Sequence, residues 1–209
     1  SWESAALTAF AVSLGVPAYV YFGYPLLLLA LRGVLRIGRR RGIPAGGDLP
    51  AVTMIVPAHN ERGVIEDKIK NFLLIDYPPH LLRLIIGSDG SEDDTVEVAR
   101  RAARGDGRIT VIEFQTRRGK ASVVNDLVAL SDTPIVVISD ANTMYAPDSL
   151  RKLVRHFDDG RVGAVCGRLI LKGTSSSACL EEGLYWRYEN LLKRLESDAG
   201  CLSSINGQI

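Results

Sequence analysis

The stretch Pro134–Tyr145, PIVVISDANTMY, decides the fold. Ile135, Val136, Val137 and Ile138 form an unbroken β-branched run, which suits a central strand buried on both faces. The run stops at Ser139, Asp140, Ala141 and Asn142, so two oxygen-bearing side chains stand one residue apart just past a strand end. In open α/β sheets the rim outside the carboxyl ends of the strands is where ligands bind. A carboxylate there can hold a hard divalent cation, which can in turn hold a diphosphate. The competing reading of Asp140 is a cap for the next helix, and the rest of the chain must decide between the two.

Outward from this stretch, strand and helix signals alternate. Ala51–Val56, Leu81–Gly87, Arg108–Phe114 and Val162–Cys166 read as four further strands around Pro134–Ser139. Between them, Arg62–Leu74 carries apolar residues at helical spacing (Ile65, Ile69, Phe72, Leu73) and is broken by Tyr77, Pro78 and Pro79. Ser91 and Asp94 resemble a capping box for a helix running to Gly105. Lys120–Leu130 and a segment from Pro147 and Asp148 to about Phe157 complete the set. The alternation predicts an α/β fold, a mostly parallel sheet with helices on both faces. Ser175–Ser197 reads as a longer helix with Leu180, Leu184, Tyr188, Leu191 and Leu195 on one face. Its Trp186 and Tyr188 are packing residues on this reading, although aromatics can also line a sugar-binding surface.

In a parallel sheet the turns after the strands meet at one edge, however distant in sequence. That edge collects Pro57, Ala58, His59, Asn60 and Glu61 after the first strand, and Asp89 and Gly90 after the second. Arg117, Arg118, Gly119 and Lys120 come after the third strand, and Asp140, Ala141 and Asn142 after the fourth. Carboxylates with one lysine and flanking arginines suit a nucleoside diphosphate and a metal. Each residue also has a plain explanation: Asp89 as a turn residue, Lys120 as a solvated helix start, His59 as incidental. Neither G-x-x-x-x-G-K-[ST] nor a G-x-G-x-x-G after the first strand occurs, so a P-loop and a nicotinamide dinucleotide site are unsupported.

At the start, Ser4–Leu31 has no charged residue, more than the roughly 20 residues a helix needs to cross a bilayer. Gly15, Pro17, Gly23 and Pro25 are tolerated in membrane spans, and a buried soluble helix is the alternative. Arg32, Arg36, Arg39, Arg40 and Arg41 come after the apolar run instead of preceding it, which argues against a secretory signal. By the positive-inside rule they keep the chain after Arg41 in the cytoplasm. Residues 1–41 are thus expected to be a transmembrane helix with a basic juxtamembrane segment, 42–50 a linker, and 51–209 a cytoplasmic domain at the cell membrane. Lys and Arg total 25 against 24 Asp and Glu, and with the arginines clustered near the start the domain is mildly acidic, which excludes a nucleic-acid groove. Cys166, Cys179 and Cys201 lack metal-ligand spacing and read as reduced and mostly buried, and His59, His80 and His156 form no zinc signature. The first residue is not Met and the last lies in an unfinished pattern, so a longer chain is expected.

From Val52 onward the motifs resemble the membrane-bound, processive branch of the family-2 inverting glycosyltransferases, the group of cellulose, hyaluronan and poly-N-acetylglucosamine synthases. VTMIVPAHNE is similar to that family's first strand and nucleotide-contacting turn, and IIGSDGSEDDT to the strand whose aspartate, here Asp89, contacts uracil. RRGKASVVN resembles the segment whose lysine, here Lys120, approaches the diphosphate, and VVISDANTMY the strand bearing the D-x-D metal motif. The resemblance implies a GT-A fold, a nucleotide-sugar donor (uridine by family expectation), Mg²⁺ or Mn²⁺, and transfer with inversion to a polysaccharide or lipid acceptor. It assigns Pro57, Ala58, Asn60, Glu61, Asp89, Gly90, Lys120, Asp140 and Ala141 to the nucleotide, and Asp140 and Asn142 to the metal. Asn142 departs from the motif's second aspartate and removes one negative charge. The family's catalytic base and acceptor motif are expected beyond Ile209, so no base is named. A non-catalytic, membrane-tethered nucleotide-sugar binder is the second reading; a nucleotidyltransferase ranks third, lacking its glycine-rich first loop.

Overall fold

The computed structural model describes residues 2–35, 48–167 and 188–197. They fall into two compact units, one of residues 2–35 with 188–197 and one of residues 48–167. In the smaller unit lie α1 (Trp2–Ala18), a π-helical turn (Tyr19–Gly23), α2 (Tyr24–Leu35) and α7 (188–197). The larger unit runs β1 (Val52–Ala58), α3 (Ile65–Leu73), β2 (Leu82–Asp89), α4 (Thr95–Ala102), β3 (Ile109–Phe114), α5 (Lys120–Ala129), β4 (Ile135–Ile138) and α6 (Ser149–Val154).

The four strands form one parallel sheet in the order β3-β2-β1-β4. β1 pairs with β2 from Val52↔Leu82 to Ala58↔Ser88 and with β4 from Val52↔Ile135 to Ile55↔Ile138. Side chains alternate faces along a strand. Val52, Met54 and Val56 therefore join Leu82, Leu84 and Ile86 on one face, against Ile65, Ile69 and Phe72 of α3, Ala99 of α4 and Leu150 of α6. The residues between, Ile55 and Ile85, meet Val123 and Leu127 of α5 on the other face. Helices on both faces explain why these strands read as continuous apolar runs. Gly87 lets α5 approach closely: a Cβ there would lie 2.9 Å from Val123 Cγ1.

The expected strand Val162–Cys166 is absent: residues 162–167 carry no regular structure. An extended run becomes a strand only when a neighbour takes its backbone hydrogen bonds, and no described residue does so here. The helix expected from Pro147 instead starts at Ser149 and tightens into a 3₁₀ turn, Arg155–Asp158.

In the smaller unit, Trp2–Leu31 is 30 residues of helix with mean hydropathy 1.6, long and apolar enough by length and composition to cross a membrane. The π-turn sits just before Pro25. Proline has no N–H and its ring crowds the carbonyl four residues back, so the ladder is disturbed there. Pro25 can serve neither Tyr21 O nor Val20 O, and the Tyr188 hydroxyl donates to that pair at 3.0 Å and 3.2 Å. The α7 contact continues with Tyr24 Oη donating to Glu196 Oε1 at 2.8 Å and Leu28 packing on Leu195. The packed face of α7 is thus Tyr188, Leu192 and Leu195; Leu191, expected on it, is exposed. Residues 36–47, with four of the arginines, 168–187, with Cys179, Leu180, Leu184 and Trp186, and 198–209, with Cys201, lie outside the described residues.

Candidate functional site

From β1 the chain steps outward through β2 to β3, then returns to place β4 on the other side of β1. Crossovers on either side of that reversal leave a crevice at the carboxyl ends of the strands. A cavity of about 390 Å³ opens there. Eight of the residues expected from sequence line it: Pro57, Ala58, Glu61, Asp89, Lys120, Asp140, Ala141 and Asn142. Asn60 and Gly90 do not, while His59, Arg117 and Gly119, expected on the same edge but not assigned to the nucleotide, also line it.

Asp89 ends β2 and is buried. Its Oδ1 accepts from the Arg118 N–H at 2.7 Å and its Oδ2 from the Gly119 N–H at 2.8 Å. Charge-assisted bonds of this kind are strong. Asp89 therefore holds the turn that delivers Lys120, and each oxygen keeps one lone pair for a ligand. Gly90 explains why the turn fits: at φ +59° its missing Cβ leaves room for the Arg117 N and the Thr116 C, which a Cβ would meet at 2.6 Å and 2.8 Å. Its contribution is space for the loop, not contact with the cavity.

Asn60 likewise works as a brace. In the left-handed region at φ 55°, its Oδ1 accepts from the Glu92 N–H at 2.9 Å while its own N–H donates to Ser91 Oγ at 3.1 Å. Glu61 N–H donates to Thr95 Oγ1 at 2.8 Å, tying the β1 turn to the β2 turn again. His59 Nδ1 donates to Asp89 O at 2.8 Å, because a carbonyl can only accept. With Nδ1 spent on that carbonyl, Nε2 is the ring nitrogen left for a ligand. His59 lies inside the VTMIVPAHNE turn on the expected edge, where it reads as incidental beside Asn60 and Glu61.

Lys120 opens α5, and its Nζ lies 2.5 Å from Asp140 Oδ1. Asp140 comes just after β4, and the turn is closed by Thr143 N–H on Asp140 O at 3.2 Å. Below this turn Lys68 is fully buried and donates to Ser139 Oγ at 2.6 Å and Thr143 O at 2.5 Å, with its Nζ 4.7 Å from the Tyr145 ring centroid. Burial pushes the Lys68 ammonium down to about 7 against the pull of the Asp140 carboxylate, and burial pushes the Tyr145 phenol up to about 12.

Among the described residues no three His, Cys, Asp or Glu side chains cluster as a closed metal cage. Asp140 and Asn142 instead offer an open, hard-oxygen pair. The Asp140 carboxylate already accepts a cation, the Lys120 ammonium, on its cavity side. That donor set fits a Mg²⁺- or Mn²⁺-like ion that takes its remaining ligands from phosphate oxygens and water.

Comparison with known proteins gives the same outline. The family model described as "Glycosyl transferase family 2" matches residues 53–199. The poly-beta-1,6-N-acetyl-D-glucosamine synthase of Staphylococcus aureus is 28% identical over 162 residues, 77% of this chain and 39% of its own. The succinoglycan biosynthesis protein ExoU of Rhizobium meliloti is 32% identical over 103 residues, 49% of this chain and 29% of its own. The mannosyltransferase PcManGT from Pyrobaculum calidifontis, solved with GDP-Man and Mn²⁺, is 30% identical with a TM-score of 0.71, covering 90% of this chain and 51% of that one. The chain thus spans about half or less of the length of each of these relatives. The fold is of the GT-A type.

Proposed function

The chain belongs to glycosyl transferase family 2, and on that premise we propose that it binds a nucleoside-diphosphate sugar and passes the sugar, with inversion, to a polysaccharide or lipid acceptor. The observation that carries the reading is the Lys120–Asp140 pair at 2.5 Å on the rim where four strand-end turns converge. An ammonium and a carboxylate in contact are ready to separate onto the two halves of a metal diphosphate, the ammonium to phosphate oxygens and the carboxylate to the ion. Asp140 and Asn142 would hold the ion, which when bound would stabilise the charge of the departing diphosphate.

The chain's own residues orient the donor. Asp89 fixes the Arg118–Gly119 backbone so that Lys120 faces the cavity. On this reading Asp89 and His59 contact the base and ribose, and Arg117 adds positive charge for the phosphates, all three lining the cavity. The acceptor hydroxyl is deprotonated by a base, for which no residue is named, and it attacks the anomeric carbon in a single displacement. The apolar helix over 2–31 anchors the protein in the cell membrane, with the arginines after it keeping the transferase unit cytoplasmic. PcManGT holds GDP-Man and the Staphylococcus relative is a poly-N-acetylglucosamine synthase. Uridine is proposed as the base here, and GDP is the comparison ligand.

The test is calorimetric titration of UDP and of GDP into the detergent-solubilised protein, with Mn²⁺ and with chelator. Binding should strengthen with Mn²⁺, and Asp140→Ala should remove the strengthening. Equal affinity in both conditions for the unaltered protein refutes the reading. Asn142, an amide where a second carboxylate would bind metal more tightly, favours one alternative, a donor-binding protein without turnover. Transfer of radiolabelled sugar by membranes carrying the protein excludes that alternative.

A further inference from the structure

Among the described residues of the larger unit, Lys68 is a buried charge to which the proposed reaction gives no task. It lies on the inward stripe of α3 with Ile65, Ile69 and Phe72, a position where helical periodicity calls for an apolar residue. Burying an ammonium is costly unless its hydrogens are used. They are used on one target. Ser139 Oγ and Thr143 O stand on either side of Asp140, Ala141 and Asn142, and Lys68 Nζ bridges them from below. One turn further along α3, Asn71 donates through Nδ2 to Tyr145 O at 2.9 Å and accepts from Tyr145 N–H at 2.7 Å. Ser139 N–H is meanwhile anchored on Ile55 O at 3.0 Å. The inner face of α3 therefore grips both ends of the turn that carries the two candidate metal ligands.

Resting on the function proposed above, we propose that Lys68 is a positioning residue for the divalent cation: by joining Ser139 to Thr143 it sets the spacing and aim of Asp140 and Asn142 so that their oxygens converge on one ion. The bridge needs two N–H donors, which the amine has whether or not it carries its third proton. Partners that orient metal ligands typically shift metal affinity by about 10–100-fold when removed. Lys68 touches neither substrate nor metal in this arrangement and acts through the turn.

The experiment is an electron paramagnetic resonance titration of Mn²⁺ into the solubilised full chain with saturating UDP, beside UDP binding in chelator and a thermal melt. Lys68→Met keeps the side-chain length and removes both donors; Ser139→Ala removes one acceptor and is the variant that decides if Lys68→Met does not fold. Half-saturating Mn²⁺ should rise about 10-fold or more in Lys68→Met and about threefold in Ser139→Ala. UDP affinity in chelator should stay within about twofold in both. Unchanged Mn²⁺ affinity in a folded variant overturns the proposal, as does an equal fall of UDP binding with and without metal. If the unaltered protein itself shows no Mn²⁺-linked UDP binding, the function proposed above fails instead, and Lys68 loses this role with it.

Discussion

Gly90→Ala isolates what the seat of the Lys120 turn contributes. Gly90 has φ +59°, where an alanine carries a strain of about 1–2 kcal/mol. Gly105 has φ +85° with nothing within 4 Å of where a Cβ would stand, so Gly105→Ala reports that strain alone and far from the cavity. At Gly90 the new Cβ would also meet the backbone nitrogen of Arg117 at 2.6 Å, well inside the 3.4 Å where ordinary contact begins. Backbone cannot rotate away as a side chain can, so the loop has to retreat by roughly 0.8 Å, enough to forfeit about a quarter to a half of the attraction at the contacts it leaves. The retreat stretches the Arg118 N–H and Gly119 N–H bonds to the Asp89 carboxylate, and losing about half of two bonds worth about 1.5–3 kcal/mol each costs about 1.5–3 kcal/mol. Gly90→Ala should therefore cost about 3–5 kcal/mol in total, against about 1–2 kcal/mol for Gly105→Ala. At roughly 2–4 °C per kcal/mol for a chain of this size, the melting temperatures should fall by about 10 °C and about 4 °C. Because Lys120 rides on the displaced turn, UDP affinity should fall about tenfold in Gly90→Ala, or about 1.4 kcal/mol, and not in Gly105→Ala. Differential scanning fluorimetry and calorimetric titration read both. The reasoning is refuted if the two variants melt together and bind UDP equally well.

Two further outcomes concern other parts of the larger unit. Gly87→Ala forces a Cβ to within 2.9 Å of Val123 Cγ1 and 3.0 Å of two Leu127 methyls, so urea denaturation should show a loss of about 1–3 kcal/mol with little change in UDP affinity. The Arg108 side chain, hydrogen-bonded to Asp106, holds that carboxyl below its ordinary range. A lowered folded pKa means the pair stabilises above the unfolded carboxylate value and loses that contribution as pH falls through the folded one. Asp106→Asn should thus cost at most about 1 kcal/mol at pH 6 by urea melts, and the gap to the unaltered protein should close as the pH drops below about 4.

β1 and β2 were legible because they are buried on both faces and read as apolar runs with no alternation to misread. β4 carries the same kind of run, but among the described strands it ends the sheet and leaves Ile138 exposed, so the central, doubly buried strand expected at Ile135–Ile138 is corrected to an outer one. Their order was not written in any one run, yet parallel pairing sends every strand-end turn to one rim, so Asp89, Lys120 and Asp140 could be grouped without knowing it. What escaped notice depends on partners distant in sequence. Val162–Cys166 has strand composition but no described neighbour to pair with. Asn60 and Gly90 looked like ligand contacts because they adjoin the right strand ends; one has its amide oxygen committed to Glu92, and the other matters for the atom it lacks. Lys68 gave no signal, since a lysine in a mixed helical stretch is ordinarily solvent-facing, and only the register of α3 against the sheet turns it inward. On α7, Leu191 and Leu192 are one residue apart, and the docking of Tyr188 at the π-turn selects the second.

The hydroxyl of Tyr188 serves two carbonyls that Pro25 cannot, and the whole larger unit lies between the two residues in sequence. A ribosome makes them in that order, and at about 5–20 residues per second the interval is roughly ten to thirty seconds. Throughout that time the apolar helix lacks this donor, and water or passing polar groups must serve the two oxygens. The hydrogen bonding of a segment synthesised early is thus completed by one synthesised much later.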